Sequence, residues 1–228
     1  MLFRSNRIVS EIVMSSTTCD ALTIVFAKAP REGEVKTRLI PLLGAAGATA
    51  LHRKLVQQTL ATAADAGLGP VELHAAPDTS DAFLQANALR HGMALLPQYG
   101  ADLGARMCNA FDEGLARHSR VIIIGTDCPV LTPQHLRDAS AALAARNDAV
   151  LIPAEDGGYA LIGLARCDAR LFENIAWGGD TVLADTPERL RQLKWRWHEL
   201  ETLWDIDRPD DYRRWSELII LNENKYLA

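Results

Sequence analysis

Short aliphatic runs punctuate this chain, separated by longer stretches in which apolar residues return every three or four positions. Leu22–Ala27 (LTIVFA), Val71–Ala75, Ala94–Pro97, Val121–Ile124 (VIII) and Ala149–Pro153 are the runs, each bounded by turn-forming residues. Runs this short and this rich in Val, Ile and Leu predict strands buried on both faces of a parallel sheet. Between them, helical spacing predicts helices over Ala45–Ala66, Ser80–Arg90, Asp102–His118 and Pro133–Arg146. The first of these stops at Gly67-Leu68-Gly69-Pro70, and the fourth starts at Thr132-Pro133, an N-cap followed by a proline in the first turn. Further on, Asp156-Gly157-Gly158 predicts a tight turn into a strand ending at Leu164, and Asp168–Ile175 a short helix. A helix ending at Lys194, an aromatic strand around Trp195, Trp197 and His198, and a last helix reaching Leu221 complete the pattern. Strands alternating with helices predict an α/β domain.

Chemistry gathers where the predicted strands end. Val121–Leu131 (VIIIGTDCPVL) places Asp127 just past a buried strand, at the carboxyl edge where open α/β sheets bind ligands. A carboxylate there can hold a hard divalent cation, which in turn can hold phosphate oxygens. Capping of the next helix is the rival role for Asp127, but Thr132 fills it better. The first strand runs into Lys28–Leu39 (KAPREGEVKTRL), a loop with four cations, Lys28, Arg31, Lys36 and Arg38, suited to a polyphosphate. Gly33-x-x-Lys36-Thr37 resembles part of a P-loop but lacks the glycine before the lysine, which excludes a Walker A motif. No GxGxxG is present, which argues against a dinucleotide-binding dehydrogenase.

The segment Gln98–Met107 (QYGADLGARM) offers Gly100 and Gly104 for close backbone approach to a ligand, Asp102 as a helix cap, and Gln98 as an amide able to read a base edge. Gly157 and Gly158 serve the turn or bring backbone close to an acceptor, with Asp156 and Tyr159 lining the pocket; both readings stand. Trp177, beside two glycines, either stacks on a substrate ring or packs as a hinge. Near the end of the chain, Asp205 and Asp207 lie two apart, so an extended backbone presents both on one face. A haloacid-dehalogenase nucleophile would need that pair on the first strand instead.

Length and composition narrow the class. The chain has 228 residues, suited to one generous domain over residues 21–221, with a loosely packed arm at 1–20 and a tail at 222–228. A net charge of −5 argues against nucleic-acid binding. No apolar stretch is long enough for a membrane span, and the first twenty residues interrupt any signal-peptide core with arginines and a glutamate. Cys19, Cys108, Cys128 and Cys167 form no CxxC pair and are expected as reduced thiols in a cytoplasmic protein.

Five segments together, FAKAPREGEVKTRL (26–39), QYGADLGARM (98–107), GTDCPVL (125–131), PAEDGGYALIGL (153–164) and DIDRPDDY (205–212), resemble the GT-A superfamily of nucleotide-diphospho-sugar transferases. Within it the chain looks like the glycosyltransferases associated with radical-SAM and arsenosugar-biosynthesis genes, and it is similar to molybdenum-cofactor and phospholactate guanylyltransferases. The resemblance implies a three-layer α/β/α sandwich with a mostly parallel, Rossmann-like GT-A sheet, a Mg²⁺ or Mn²⁺ ion, and a nucleotide or nucleotide-sugar donor with a small-molecule acceptor. Asp127 would bind the metal with Asp207, or Asp205 in its place. Lys36 and Arg38, with the metal, would neutralise the diphosphate, and Lys28 would contribute to substrate binding. Gln98 and the backbone from Gly100 to Gly104 would hold the base, and the acceptor would enter over Gly157, Gly158, Tyr159 and Trp177, near Asp156.

One departure selects among the reactions. Nucleotidyltransferases of this superfamily carry a glycine-rich first loop, whereas Lys28–Leu39 has a single glycine. The expected reaction is therefore transfer from a preformed nucleotide sugar. Condensation of an NTP with a phosphorylated small molecule is the alternative, and a non-catalytic nucleotide-binding module the third reading.

Overall fold

The computed structural model describes residues 21–173, 175 and 182–225, with side chains described between 182 and 225 only for 185–221. Seven strands form one sheet: β1 (Ala21–Lys28), β2 (Val71–Ala76), β3 (Ala94–Pro97), β4 (Arg120–Ile124), β5 (Ala149–Pro153), β6 (Tyr159–Leu164) and β7 (Trp197–Glu199). Their spatial order is β3-β2-β1-β4-β6-β5-β7. Every neighbouring pair is parallel except those made by β6, which runs antiparallel to both β4 and β5. The Asp156-Gly157-Gly158 turn explains the reversal, because a short hairpin connection forces β6 back alongside β5.

Among the described residues six α-helices flank the sheet: α1 (Ile40–Ala66), α2 (Ala82–His91), α3 (Leu103–Leu115), α4 (Pro133–Ala144), α5 (Val182–Gln192) and α6 (Pro209–Lys225). Alternate residues of each strand feed opposite layers, as a pleated backbone requires. On one face Val25, Leu73, Ile122, Ile124, Val150 and Ile152 pack with Val56 and Leu60 of α1 and Leu136 of α4. On the other face Leu22, Ile24, Val121, Ile123, Leu151 and Ile162 pack with Phe111 of α3 and Leu190 of α5. The α/β/α sandwich is thus the observed architecture. Among the described residues no helix is long and apolar enough to cross a membrane.

Several boundaries differ from expectation for local reasons. α1 begins at Ile40 and is broken at Gly44, whose φ of 70° and ψ of 166° are not helical. Asp81 caps α2 through the Leu84 amide, so that helix starts at Ala82. α3 ends at Leu115, short of His118. Among the described residues of the expected helix at 168–175, a single 3₁₀ turn forms, Ala169–Leu171. Thr132 caps α4 as expected, in a reciprocal arrangement with His135, which frees Asp127 from that role.

A third, smaller cluster fixes the site. Leu39, Leu51 and Leu55 pack with Trp204 and Ile206, and Tyr212 and Trp215 of α6 close over them. Ile206 is fully buried and stands between Asp205 and Asp207, so the segment carrying both carboxylates is anchored by hydrophobic burial.

Candidate active site

The carboxyl ends of β1, β2 and β4 open into two adjoining cavities. The larger, of about 710 Å³, is polar and is lined by Lys28, Lys36, Arg38, His52, Gln98, Arg106, Thr126, Asp127 and Asp207. The smaller, of about 350 Å³, is more apolar and is lined by Phe26, Leu103, Met107, Cys128, Asp156, Gly158, Tyr159 and Asp205, again with Asp127. Phe26, Leu103, Gly125 and Asp127 border both. Asp127 therefore stands at the junction of a charged compartment and an apolar one. Both sizes suit small-molecule ligands.

Lys36 organises the junction. Its side chain is 3% exposed, and its ammonium lies 2.6 Å from Asp127 Oδ1. The same ammonium donates to the Ile206 carbonyl. The Ile206 amide in turn donates to the Asp127 carbonyl at 2.9 Å. Three segments far apart in sequence are thereby tied together around one buried cation. Lys36 adopts a left-handed backbone, φ 48° and ψ 41°, uncommon for a residue with a side chain and typical of functional positions. Asp127 remains 52% exposed, so it also faces the cavity.

The other acids divide between the compartments. Asp207 is paired with Arg38 on the polar side. Asp205 lines the apolar cavity, and its carboxyl is pushed up to about 6, first by burial and then by the negative charges of Asp156 and Asp127. Asp156 Oδ1 accepts from the Gly158 amide at 2.9 Å. Gly157 supplies the turn with φ 88°, and a Cβ on Gly158 would sit 3.2 Å from Asp156 Oδ1. Both glycines thus serve the turn that aims Asp156, while Gly158 also lines the cavity. Among the described residues, no three of these carboxylates have oxygens within 4.8 Å of one another.

The remaining expected residues are placed as follows. Lys28 donates to the Glu34 carbonyl at 2.7 Å and so shapes the first loop. The Gln98 amide nitrogen is engaged with the carbonyls of His74 (2.9 Å) and Ala27 (3.3 Å), cross-linking β1 and β2 at the cavity floor. Asp102 caps α3 through the Ala105 amide at 2.8 Å, and Gly104 is buried in its first turn. Gly100, with φ 145°, packs against that turn: a Cβ would meet the Arg106 nitrogen at 2.6 Å. Tyr159 reaches Thr186 of α5, and burial pushes its phenol up to about 12. Burial likewise pushes the Cys128 thiol up to about 11, which disfavours a nucleophilic role. Trp177 lies outside the described residues.

His52 and Arg106 also line the polar cavity, without a clear mark in the sequence. His52 is buried on α1, and its Nε2 donates to the Lys28 carbonyl at 2.8 Å. Burial lowers its affinity for a proton, favouring the neutral ring. A lone histidine beside Leu51 and Leu55 on the apolar side of a helix was its only signal. Arg106 lies inside the Gln98–Met107 segment; its Nε donates to the Gly100 carbonyl at 3.2 Å while its side chain borders the polar cavity.

Residues 59–179 match the family described as "Uncharacterized protein conserved in bacteria (DUF2064)". A protein from Desulfovibrio desulfuricans G20, provisionally described as a nucleotide-diphospho-sugar transferase, has a similar structure, with TM-score 0.75, 29% identity and 83% of each chain covered. A nucleotidyl transferase from Methanothermobacter thermautotroptrophicus is similar with TM-score 0.57 and 14% identity, over 89% of this chain and 98% of that one. The 4-diphosphocytidyl-2C-methyl-D-erythritol synthase from Anaerococcus prevotii is similar with TM-score 0.53 and 14% identity, over 91% and 97%. At 14% identity these last two bear on the fold alone. No curated protein matches the chain significantly.

Proposed function

The chain belongs to the DUF2064 family, and we propose that it is a nucleotide-utilising transferase that takes a nucleotide-diphospho-sugar donor and passes the sugar to a small-molecule acceptor. The observation carrying this reading is the placement of Asp127 where the polar and apolar cavities meet. A donor diphosphate fits the polar side, where Lys36, Arg38, Lys28 and Arg106 provide positive charge. The acceptor fits the apolar side, beside Asp156, Gly158 and Tyr159. The likeness to the Desulfovibrio protein supports the same class of donor. The narrower kinship with radical-SAM-associated glycosyltransferases rests on the sequence motifs and belongs to this proposal.

The donor set fits a hard divalent cation, Mg²⁺ or Mn²⁺. Its ligands would all be carboxylate oxygens, and burial together with mutual repulsion raises the Asp205 carboxyl, a penalty that a dication relieves. A set without three converging acids is compatible with such an ion, because Mg²⁺ is commonly held by one or two carboxylates plus substrate phosphates. We assign Asp127 and Asp205 as its protein ligands, with Asp207, held by Arg38, as the alternative to Asp205. When bound, the ion supplies Lewis-acid neutralisation of charge on the diphosphate.

The chain's own groups do the rest. Lys36 and Arg38 stabilise the charge that develops on the leaving diphosphate. Gln98 fixes the cavity floor, and the Gly100–Gly104 segment positions Arg106 and the first turn of α3 beneath the nucleotide. Asp156, which lines the apolar cavity, is the candidate for accepting the acceptor's proton. Its second oxygen remains available while Oδ1 holds the turn.

Condensation of an NTP is the competing reaction. The single glycine of the first loop favours the nucleotide sugar. Phosphorus NMR of reaction mixtures separates the two. Sugar transfer releases a nucleoside diphosphate, whereas NTP condensation releases pyrophosphate. Pyrophosphate from an NTP, with no turnover of any nucleotide sugar, would transfer the proposal to the nucleotidyltransferase reading.

A further inference from the structure

We propose that Cys108, Asp112 and Cys167 form a second metal site, separate from the carboxylates of the cavities, that takes a thiophilic dication of the Zn²⁺ class. Among the described residues these three form the one group whose ligand atoms all lie within 4.8 Å of one another. Cys108 and Asp112 are four apart on α3 and so share one face of that helix. Cys167 comes from the segment between β6 and the 3₁₀ turn at Ala169–Leu171, 59 residues further along.

The distances match the chemistry. The two sulfurs are 3.9 Å apart, and Cys108 Sγ lies 3.9 Å from Asp112 Oδ2. Two thiolates bound tetrahedrally at the usual zinc–sulfur length of about 2.3 Å are separated by about 3.8 Å, so little movement is needed. A disulfide would require the sulfurs to close to about 2.05 Å. The Asp112 carboxylate beside the two sulfurs adds negative charge that favours a dication.

Binding replaces two S–H bonds with two metal–sulfur bonds and releases two protons, with no change of oxidation state. Both cysteines are partly exposed and Asp112 is exposed, so an ion can enter and a water can take the fourth position. The site would tie α3 to the end of β6. Because α3 also supplies Leu103 and Met107 to the apolar cavity, the tether steadies that wall.

Cobalt(II) titration of the reduced, chelator-stripped full chain tests the assignment. One equivalent of Co²⁺ is expected to produce a sulfur-to-cobalt charge-transfer band, which Zn²⁺ then bleaches. Cys108→Ser and Cys167→Ser abolish the band, Asp112→Asn weakens binding at least tenfold, and Asp127→Asn leaves the band in place. The wild-type titration needs no variant to fold: absence of the band there overturns the proposal. So does a band that survives in a folded Cys108→Ser/Cys167→Ser protein, with circular dichroism confirming the fold.

Discussion

Replacing Asp205 by asparagine removes a charge that the folded state holds at a cost. Its carboxyl is pushed from an ordinary 3.8 to about 6, by burial first and by Asp156 and Asp127 next. Two units correspond to about 3 kcal/mol at 1.36 kcal/mol per unit. Asp205 is partly exposed, and solvent screening reduces this to about 1–2 kcal/mol. The folded carboxyl keeps its proton up to about pH 6, whereas the unfolded chain releases it near 3.8. Folding therefore takes up a proton between those values. The favourable contribution is complete below pH 4 and fades as pH rises through 6, leaving the ionised wild type burdened above pH 7. The asparagine, which mimics the neutral acid, does not titrate. For a domain of this size, 1–2 kcal/mol corresponds to a Tm difference of about 2–8 °C. Thermal unfolding in the presence of EDTA should show Asp205→Asn more stable than wild type by that amount at pH 8, and equal to it near pH 4. The same substitution should lower activity, since stability and function conflict at a charged site. Equal or lower Tm for the variant at pH 8 would refute the reasoning, as would a gain independent of pH.

Other substitutions probe the remaining supports. Lys36→Met removes the buried cation that joins Asp127 to Ile206, and steady-state kinetics should show donor turnover falling about 10²–10³-fold; a loss under tenfold contradicts its role. His52→Leu leaves the Lys28 carbonyl without its partner and should cost about 1–3 kcal/mol in urea unfolding, whereas His52→Gln, which keeps a donor, should recover part of it. Gly100→Ala forces a Cβ to within 2.6 Å of the Arg106 nitrogen at a φ of 145°, and should destabilise by about 1–3 kcal/mol by the same assay. A change within 0.5 kcal/mol would show that the α3 N-terminal turn yields without cost.

The sheet was legible where burial and punctuation agreed. LTIVFA and VIII declare β1 and β4 because strands covered on both faces need apolar residues without alternation. Thr132-Pro133 and Gly67 mark helix ends through backbone chemistry that acts within a few residues. Partners are another matter. Nothing in YALIGL says that β6 inserts between β4 and β5, because strand pairing is decided by long-range packing. For the same reason the sequence offered Asp127, Lys36 and Asp207 as a group but could not show that Lys36 pairs with Asp127 while Arg38 takes Asp207. The sequence suggests ligand contacts for Gln98 and Gly100; the structure adds scaffolding roles, since Gln98 bonds two carbonyls and Gly100 packs on α3. The meeting of Cys108 with Cys167 had no local signal at all.

The proposed function requires Asp127 to couple a divalent cation to a nucleotide diphosphate at the junction of the two cavities. Isothermal titration calorimetry of nucleotide sugars and nucleoside triphosphates, with Mn²⁺ or with EDTA, measures this directly on wild type and Asp127→Asn. A nucleotide sugar is expected to bind wild type at least tenfold more tightly with Mn²⁺ than with EDTA. Asp127→Asn, folded by circular dichroism, is expected to lose that difference. Equal binding with and without the ion, or a metal dependence that survives in Asp127→Asn, would contradict it.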